Sequence, residues 1–143
     1  DAVLDASSAP EGTPELFHGY TYSGIPVAVA AALAVQDIFD KEDIFTRAKD
    51  MSPYLQDGLQ SLKDLKEIVS IRGYGMMGGI EIKKKDKPRK AGYQVFKNCK
   101  DKGVNFKNTG DNLIIAPQFI CEKKHIDEII EKLRTGISNY AKQ

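Results

Sequence analysis

The sequence predicts an α+β fold in which a small, mostly antiparallel sheet carries helices on one face. Two observations indicate the helices and the strands: apolar residues recur at steps of three and four over long stretches, and near the middle of the chain they alternate with charged residues. The third observation is the order of the predicted elements, which is two helices, a hairpin, a helix, two strands and a helix. Elements with one apolar side can bury that side when the helices pack against the sheet.

The composition is that of an ordinary globular chain and argues against several functions. Its 143 residues suffice for one domain with a substantial core. A net charge of +1 gives no strong field for attracting nucleic acid, and the longest apolar run, residues 25–35, is too short to span a bilayer. Cys99 and Cys121 have no Cys-x-x-Cys spacing and no histidine cluster beside them. We therefore expect no disulfide framework, no metal site and a reducing, cytoplasmic location.

A polar turn follows a predicted solvated linker at residues 1–17 and precedes the first helix. It reads His18-Gly19-Tyr20-Thr21-Tyr22-Ser23-Gly24-Ile25-Pro26. The glycines allow close approach to a ligand, and four consecutive residues carry hydroxyl groups. Free N–H groups at a helix N-terminus, with such hydroxyls beside them, favour an anion such as phosphate. An ordinary capped turn is the alternative, and the local pattern taken alone favours it over an anion site.

The first predicted helix covers residues 26–39 and has no polar face between Val27 and Val35. A helix that is apolar on all sides is normally buried on all sides. The remaining residues are too few to surround it. We therefore expect a neighbour outside this chain, either an absent large domain, a second subunit, or both.

A second, long helix follows the break at residues 40–43. Its apolar series has steps of three and four and predicts one buried face: Ile44, Ala48, Met51, Leu55, Leu59 and Leu62. Pro53 lies inside the series. Because the periodicity keeps its phase through Pro53, we expect a kink; the alternative is two helices, with Ser52 as the N-cap of the second.

Residues 68–74 and 76–83 predict two strands of a hairpin. Gly73-Tyr74-Gly75-Met76-Met77-Gly78 matches the dinucleotide-binding pattern G-x-G-x-x-G letter for letter. That fingerprint requires a helix at its third glycine. Residues 79–83 instead alternate apolar and charged side chains as a half-buried strand does. The sequence therefore argues against dinucleotide binding.

The remaining elements follow a basic block at residues 83–90, which we interpret as a solvated loop because no aromatic residues are interleaved in it. They are a helix at residues 91–102 ended by Gly103, strands at residues 104–107 and 113–116 around a turn at residues 108–112, and a helix at residues 123–140. The expected apolar side of the first of these helices is formed by Tyr93, Val95, Phe96 and Cys99. That of the last is formed by Ile126, Ile130, Leu133, Ile137 and Tyr140.

The turn at residues 18–26, with the alanine-rich stretch after it, resembles the class III aminotransferases, which are pyridoxal-phosphate enzymes of fold type I. The ω-amino acid:pyruvate (β-alanine–pyruvate) type is the most similar subgroup, and residues 72–81 are similar to its C-terminal hairpin. The resemblance implies that Thr21 binds the cofactor phosphate of the neighbouring subunit, with Tyr20 in the aromatic position before it. Ile25 stands where the family usually has histidine. This difference affects the residues around the phosphate contact more than the contact between Thr21 and the phosphate.

The resemblance also gives Lys107 a role in binding substrate. In ω-aminotransferases this position carries an arginine that holds the α-carboxylate of the amino acceptor. Lysine keeps the charge but loses the two-pronged donor, so we expect altered keto-acid recognition. A lysine that merely extends its ammonium to solvent from a strand end is the alternative. Cys121 stands where the family usually has a Ser or Thr cap, which predicts a weakly capped last helix.

Taken over the whole chain, the resemblance implies a linker and cofactor-phosphate loop at residues 1–25 and a C-terminal small domain of fold type I at residues 26–143. The lysine that holds pyridoxal phosphate covalently lies upstream of this region in the family. We therefore expect no catalytic residue here and an inactive fragment when alone. The implied partners are the N-terminal large domain, the second subunit of a homodimer, a small-molecule amine and a keto acid, with no nucleic acid and no membrane.

A different class of function stays open at this stage. A free-standing α+β binding module could use the basic block at residues 83–90 as its ligand surface. Binding of RNA or DNA that weakens steeply with salt would indicate the module. We favour the aminotransferase because the turn, the hairpin and the last pair of strands agree with it in order and spacing.

Overall fold

The computed structural model describes residues 19–85 and 90–142. Residues 19–37 and residues 38–142 belong to two separately compact units. The predicted linker at residues 1–17, His18, and residues 86–89 of the basic block lie outside the described residues.

The elements appear in the predicted order. Helices α1 (Pro26–Lys41) and α2 (Ile44–Gln60) and a short 3₁₀ helix (Ser61–Asp64) precede strands β1 (Ile68–Tyr74) and β2 (Met77–Ile82), helix α3 (Ala91–Lys100), strands β3 (Lys107–Thr109) and β4 (Asn112–Ile115), and helix α4 (Lys123–Ala141). The strand order is β1-β2-β4-β3, and each neighbouring pair is antiparallel. The predicted α+β fold with a small antiparallel sheet is confirmed.

The core of residues 38–142 lies between one face of the sheet and helices α2, α3 and α4. Strand residues Ile80, Ile82, Leu113 and Ile115 point into it and are buried. They pack in one cluster with helix side chains that include Leu55, Leu59, Val95, Cys99, Leu133 and Ile137. Because side chains alternate along a strand, the residues between them form the opposite face, which we call the open face.

Helix α1 leaves its apolar side chains exposed. None of its residues is buried, and the side chain of Val27 is 80% exposed. A soluble protein rarely leaves a helix of this composition uncovered. The neighbour that the sequence predicts for this helix stays a prediction.

Helix α2 is one continuous helix through Pro53, so the two-helix alternative is wrong. Its buried residues Ile44, Ala48, Leu55 and Leu59 repeat the predicted series. The last member of that series, Leu62, lies on the 3₁₀ helix and is fully buried.

Strands β1 and β2 form a tight hairpin, in which Tyr74 pairs with Met77 across the two-residue loop Gly75-Met76. Gly75 has φ of +57°, a backbone conformation that favours glycine. The third glycine of the supposed dinucleotide pattern, Gly78, lies in β2, where any added Cβ would collide with Leu59 of α2. The glycines serve the hairpin and its packing, in agreement with the sequence argument.

The prediction for β3 and its turn is wrong by several residues. Residues 104–106 are not in a strand, and Thr109 pairs with Asn112 around the two-residue loop Gly110-Asp111. Asn108, Thr109 and Asn112 are residue types that occur often in turns, but the pairing of β3 with β4 places all three in strands. Gly110, with φ of +60°, provides the tight reversal.

The prediction that Tyr93 lies on the apolar, buried side of α3 is wrong. Tyr93 is 54% exposed, and the buried side of α3 is formed by Ala91, Gly92, Val95 and Cys99. Residues 91, 95 and 99 repeat every four positions, whereas Tyr93 lies two positions away, on the far side of the helix. Its ring stacks on that of Phe96 with 6.2 Å between centroids.

The start of α4 is capped by a residue other than the one predicted. Cys121 is buried, and the N-cap is Glu122, whose backbone N–H donates to Nδ1 of His125 at 3.0 Å. This bond is half of a capping box, with histidine in the place usually taken by Glu or Gln. The prediction of a weakly capped helix rested on Cys121 and was wrong.

The basic block is only partly a solvated loop. Lys85 donates from Nζ to the carbonyl oxygens of Tyr140 and Ala141, at 2.9 and 3.0 Å. Since the carbonyls at a helix C-terminus lack partners in the helix, Lys85 caps α4.

Among the described helices, none combines the length and apolar character that a membrane span requires.

Candidate functional site

The polar turn before α1 has the predicted form. The backbone N–H of Ser23 donates to the carbonyl oxygen of Tyr20 at 2.9 Å, which closes the turn. Gly24 has φ of +73° and redirects the chain into α1. The helix then begins at Pro26, a residue whose fixed φ suits a first helical turn.

The side chains of this turn face solvent. Tyr20 is 72% exposed and Tyr22 is 85% exposed, and Thr21 between them is exposed as well. A threonine hydroxyl beside the free N–H groups of a helix N-terminus is a donor set suited to one side of a phosphate. The turn therefore suits contact with the phosphate group of pyridoxal phosphate, as one part of a site that other residues complete. The roles of Thr21 and Tyr20 stay predictions.

Lys107 is the first residue of β3, and it pairs with Ile114 of β4. It is exposed and borders a pocket of about 330 Å³, together with Val104, Phe106, Pro117 and Ile129 among others. The surroundings of the lysine are mostly apolar, so they suit an extended lysine as well as an ammonium that holds a substrate carboxylate. Its role also stays a prediction.

Arg72 is a candidate that sequence reasoning missed. It lies on the open face, where Nη2 donates to Oδ1 of Asn112 at 2.9 Å. The Ser70 hydroxyl, 3.4 Å from Nη1 of Arg72, donates to Oε2 of Glu81 at 2.9 Å. The sequence showed Arg72 only as part of a hairpin pattern, because the register that brings it to Asn112 of β4 cannot be read from local residues.

A second cavity of about 670 Å³ lies on the unit formed by residues 38–142. Its lining is mostly apolar and includes Phe39, Ile44, Met76 and Phe119. The rings of Phe39, Phe45 and Phe119 form a cluster beside it, with centroids 5.1 to 6.4 Å apart. Within the described residues, no group of His, Cys, Asp and Glu could hold a metal ion.

The chain is similar to known aminotransferases over almost its whole length. It is 40% identical to an omega-aminotransferase from Caulobacter vibrioides over 94% of this chain and 30% of that protein. It is 30% identical to a beta-alanine–pyruvate aminotransferase from Pseudomonas aeruginosa over 92% of this chain and 30% of that protein. An omega transaminase from Pseudomonas jessenii, solved in complex with PMP, superposes with a TM-score of 0.80 at 25% identity, over 90% of this chain and 30% of that one.

These comparisons agree on one family and on one region of it. The chain spans about 30% of the length of the relatives that it matches. The family model described as aminotransferase class-III matches residues 2–137. Enzymes of this family depend on pyridoxal phosphate. The chain belongs to the class III aminotransferase family.

Proposed function

We propose that this chain is the C-terminal part of an enzyme that moves an amino group from an ω-amino acid or amine to pyruvate or a similar keto acid. The observation that carries the proposal is the exposed hydroxyl turn at residues 20–23, which directly precedes α1 in a chain of this family. The names of two relatives, an omega-aminotransferase and a beta-alanine–pyruvate aminotransferase, support the substrate class. Family membership favours this function over a free-standing binding module.

Residues 1–25 would act as linker and cofactor-phosphate loop, and residues 26–143 as the small domain. Bound pyridoxal phosphate would supply the electron sink that amino transfer needs. Thr21 would donate its hydroxyl to the phosphate held by the second subunit of a homodimer, with Tyr20 beside it. Lys107 would hold the carboxylate of the acceptor. The large domain would provide the lysine that carries the cofactor, so this chain alone would be inactive.

Replacing Thr21 with valine in the full-length enzyme tests the phosphate contact. Valine keeps the shape of threonine but removes the hydroxyl. A hydrogen bond to a charged group contributes about 1.5 to 3 kcal/mol, so we expect the dissociation constant of pyridoxal phosphate to rise roughly tenfold or more. Titration of the cofactor-free enzyme, followed by cofactor absorbance, measures this constant.

The matched control is Thr21→Ser, which keeps the hydroxyl and should keep the affinity within about threefold. A Thr21→Val enzyme that binds the cofactor as tightly as the parent would remove Thr21 from the phosphate site.

The role of Lys107 is tested by Lys107→Arg in the same enzyme. Arginine restores the planar two-pronged donor for a carboxylate, so we expect the KM for pyruvate to fall by about three- to tenfold while kcat changes little. Lys107→Gln, which removes the charge, should change KM in the opposite direction. Unchanged KM values for keto-acid acceptors in both variants would place Lys107 outside the site.

A further inference from the structure

We propose that the outward face of helix α3 binds single-stranded nucleic acid, with lysines on the phosphates and the ring of Tyr93 stacked on a base. We call this surface the α3 face; it is formed by Lys90, Tyr93, Lys97 and Lys100. The inference goes beyond the proposed function, because none of these residues takes part in the predicted cofactor or acceptor contacts.

Positive charge is concentrated in residues 90–107. This segment holds five lysines and one acidic residue, Asp101, whereas the whole chain has a net charge of only +1. The expectation of no nucleic-acid partner rested on that net charge and on the basic block at residues 83–90. Neither describes the local field around α3, which depends on the charges nearest to it.

The helix brings part of this charge to one side. Tyr93, Lys97 and Lys100 are spaced four and three residues apart, so their side chains lie on the same face of α3. All three are exposed, and so is Lys90 at the N-cap. The buried residues of α3 lie on the opposite side and fix which side is turned outward.

The lysines of the α3 face are not neutralised by nearby carboxylates. Among the described residues, every ion pair includes a residue of α4, and none involves α3. The ammonium of Lys100 lies 5.8 Å from the centroid of the Phe96 ring, a cation–π contact. An ammonium has three N–H donors, so this contact leaves donors for a phosphate oxygen.

Tyr93 provides a flat apolar surface beside these charges. Its ring stacks on that of Phe96 with 29° between the ring planes, and Phe96 packs edge-on against Phe106 with 5.6 Å between centroids. Phe96 and Phe106 are half-buried, so they support the ring of Tyr93 from one side. Because Tyr93 is more than half exposed, the other side of its ring is turned to solvent. Such a ring can stack on any base, since every base has a π face.

The dimensions suit a short strand. From Lys90 to Lys100 the axis of the helix advances by about 15 Å, at 1.5 Å per residue. Phosphates follow each other along one strand at about 3.4 Å when the bases are stacked, so the face covers about four nucleotides. Lys90 and Lys97 flank Tyr93 along the axis, which provides a phosphate contact on each side of a base stacked on its ring.

The aromatic ring favours nucleic acid over other polyanions. Lysines alone would suit an acidic protein segment or polyphosphate equally well, because both supply only negative charge. A strand that carries phosphates and flat bases uses the lysines and the ring of Tyr93 together.

Fluorescence anisotropy of the full-length enzyme with labelled oligo(U) and oligo(dT) of about 12 nucleotides measures this binding, and the two strands distinguish RNA from DNA. The dissociation constant should rise steeply with salt. Lys97→Gln/Lys100→Gln should raise it by about tenfold or more at constant salt. The same variant should reduce the slope of log affinity against log salt by about 1.4, since each phosphate contact on a single strand contributes roughly 0.7.

Tyr93→Ala tests the ring separately from the charge. It should weaken binding of both strands by about fivefold or more and leave the salt slope unchanged, because stacking neutralises no phosphate. Tyr93→Phe keeps the ring and should bind as the parent does. A strand of the same length without bases should bind the parent less tightly than oligo(dT), and Tyr93→Ala should not change its affinity.

Two controls complete the experiment. Lys49→Gln removes an exposed charge from α2 and should leave both dissociation constants unchanged. The rate of amino transfer should be the same in the parent and in all of these variants. Lys97→Gln/Lys100→Gln changes only exposed side chains, so it decides the question if Tyr93→Ala does not fold.

The outcomes separate this inference from the proposed function. If neither strand binds, or if both bind equally to the parent and to Lys97→Gln/Lys100→Gln, the α3 face is not a nucleic-acid site. If the strand without bases binds as tightly as oligo(dT), the surface serves polyanions in general, such as an acidic protein, and the proposal is wrong. An enzyme that binds the strands as expected but transfers no amino group would overturn only the proposed function.

Discussion

Gly92→Ala should destabilise the protein by about 3 kcal/mol, because the added methyl group meets backbone and not the tip of a side chain. A Cβ at this position would lie 2.5 Å from the carbonyl oxygen of Gly110, 3.2 Å from the carbonyl carbon of Asp111 and 3.3 Å from the nitrogen of Asn112. Helix α3 can therefore begin against the β3–β4 loop only if residue 92 has no side chain.

The loop cannot easily move away from Gly92. Asp111 accepts a hydrogen bond from the backbone N–H of Ala91 at 3.0 Å, which satisfies a donor at the start of α3. The pair Thr109 and Asn112 closes the loop on its other side. A shift large enough to admit a methyl group would break either that hydrogen bond or the pairing of β3 with β4, which positions Lys107.

Urea unfolding of the full-length protein, followed by circular dichroism, measures the effect. Gly58→Ala is the matched control, since its added Cβ would meet only side-chain atoms, the nearest being Cγ1 of Ile130 at 3.0 Å. Alanine also gains about 1 kcal/mol of helix propensity over glycine, so this control should change stability by less than about 1 kcal/mol. Equal stability of Gly92→Ala and the parent would mean that the loop adjusts freely.

Elements with a repeated apolar pattern could be predicted from the sequence. Helix α2 follows the series from Ile44 to Leu59, and α4 buries Ile126, Leu133, Ile137 and Tyr140 as expected. In both helices the burial of one face dominates over local preferences, including that of Pro53. The alternation of β2 was equally clear, and it correctly excluded a dinucleotide loop.

The misplaced elements are those in which a partner distant in sequence decides. Asn108 and Thr109 are acceptable in a turn and in a strand, and only pairing with β4 selects the strand. The cap of α4 uses His125 as an acceptor, a choice that its neighbours in sequence do not reveal. Local composition therefore located the turn to within a few residues but not its register.

The residues of the candidate site also differ in how well the sequence predicts them. Tyr20 and Thr21 could be singled out because consecutive hydroxyls and glycines stand directly before a helix. The contact of Arg72 with Asn112 could not, because it depends on the registers that join β1, β2 and β4.

Gly136→Ala should destabilise the protein by about 2 to 3 kcal/mol, because it overpacks the contact between α3 and α4. An added Cβ would lie well inside contact distance of Sγ of Cys99 and 3.5 Å from the backbone nitrogen of the same residue. Cys99 is fully buried, and its thiol donates to the carbonyl oxygen of Lys132 at 3.6 Å. Burial raises the pKa of the Cys99 thiol to about 11, which keeps it neutral at ordinary pH.

The double variant Cys99→Ala/Gly136→Ala tests whether the loss of stability in Gly136→Ala comes from the contact with Cys99. Cys99→Ala alone should cost about 1 kcal/mol, since it leaves a small cavity beside Gly136. In the double variant the new methyl group occupies that cavity, so its urea midpoint should lie well above that of Gly136→Ala, with a coupling of about 2 kcal/mol between the two sites. If the two losses simply add, the destabilisation does not come from contact with Cys99, and the close approach of α3 and α4 at Gly136 is not what requires glycine there.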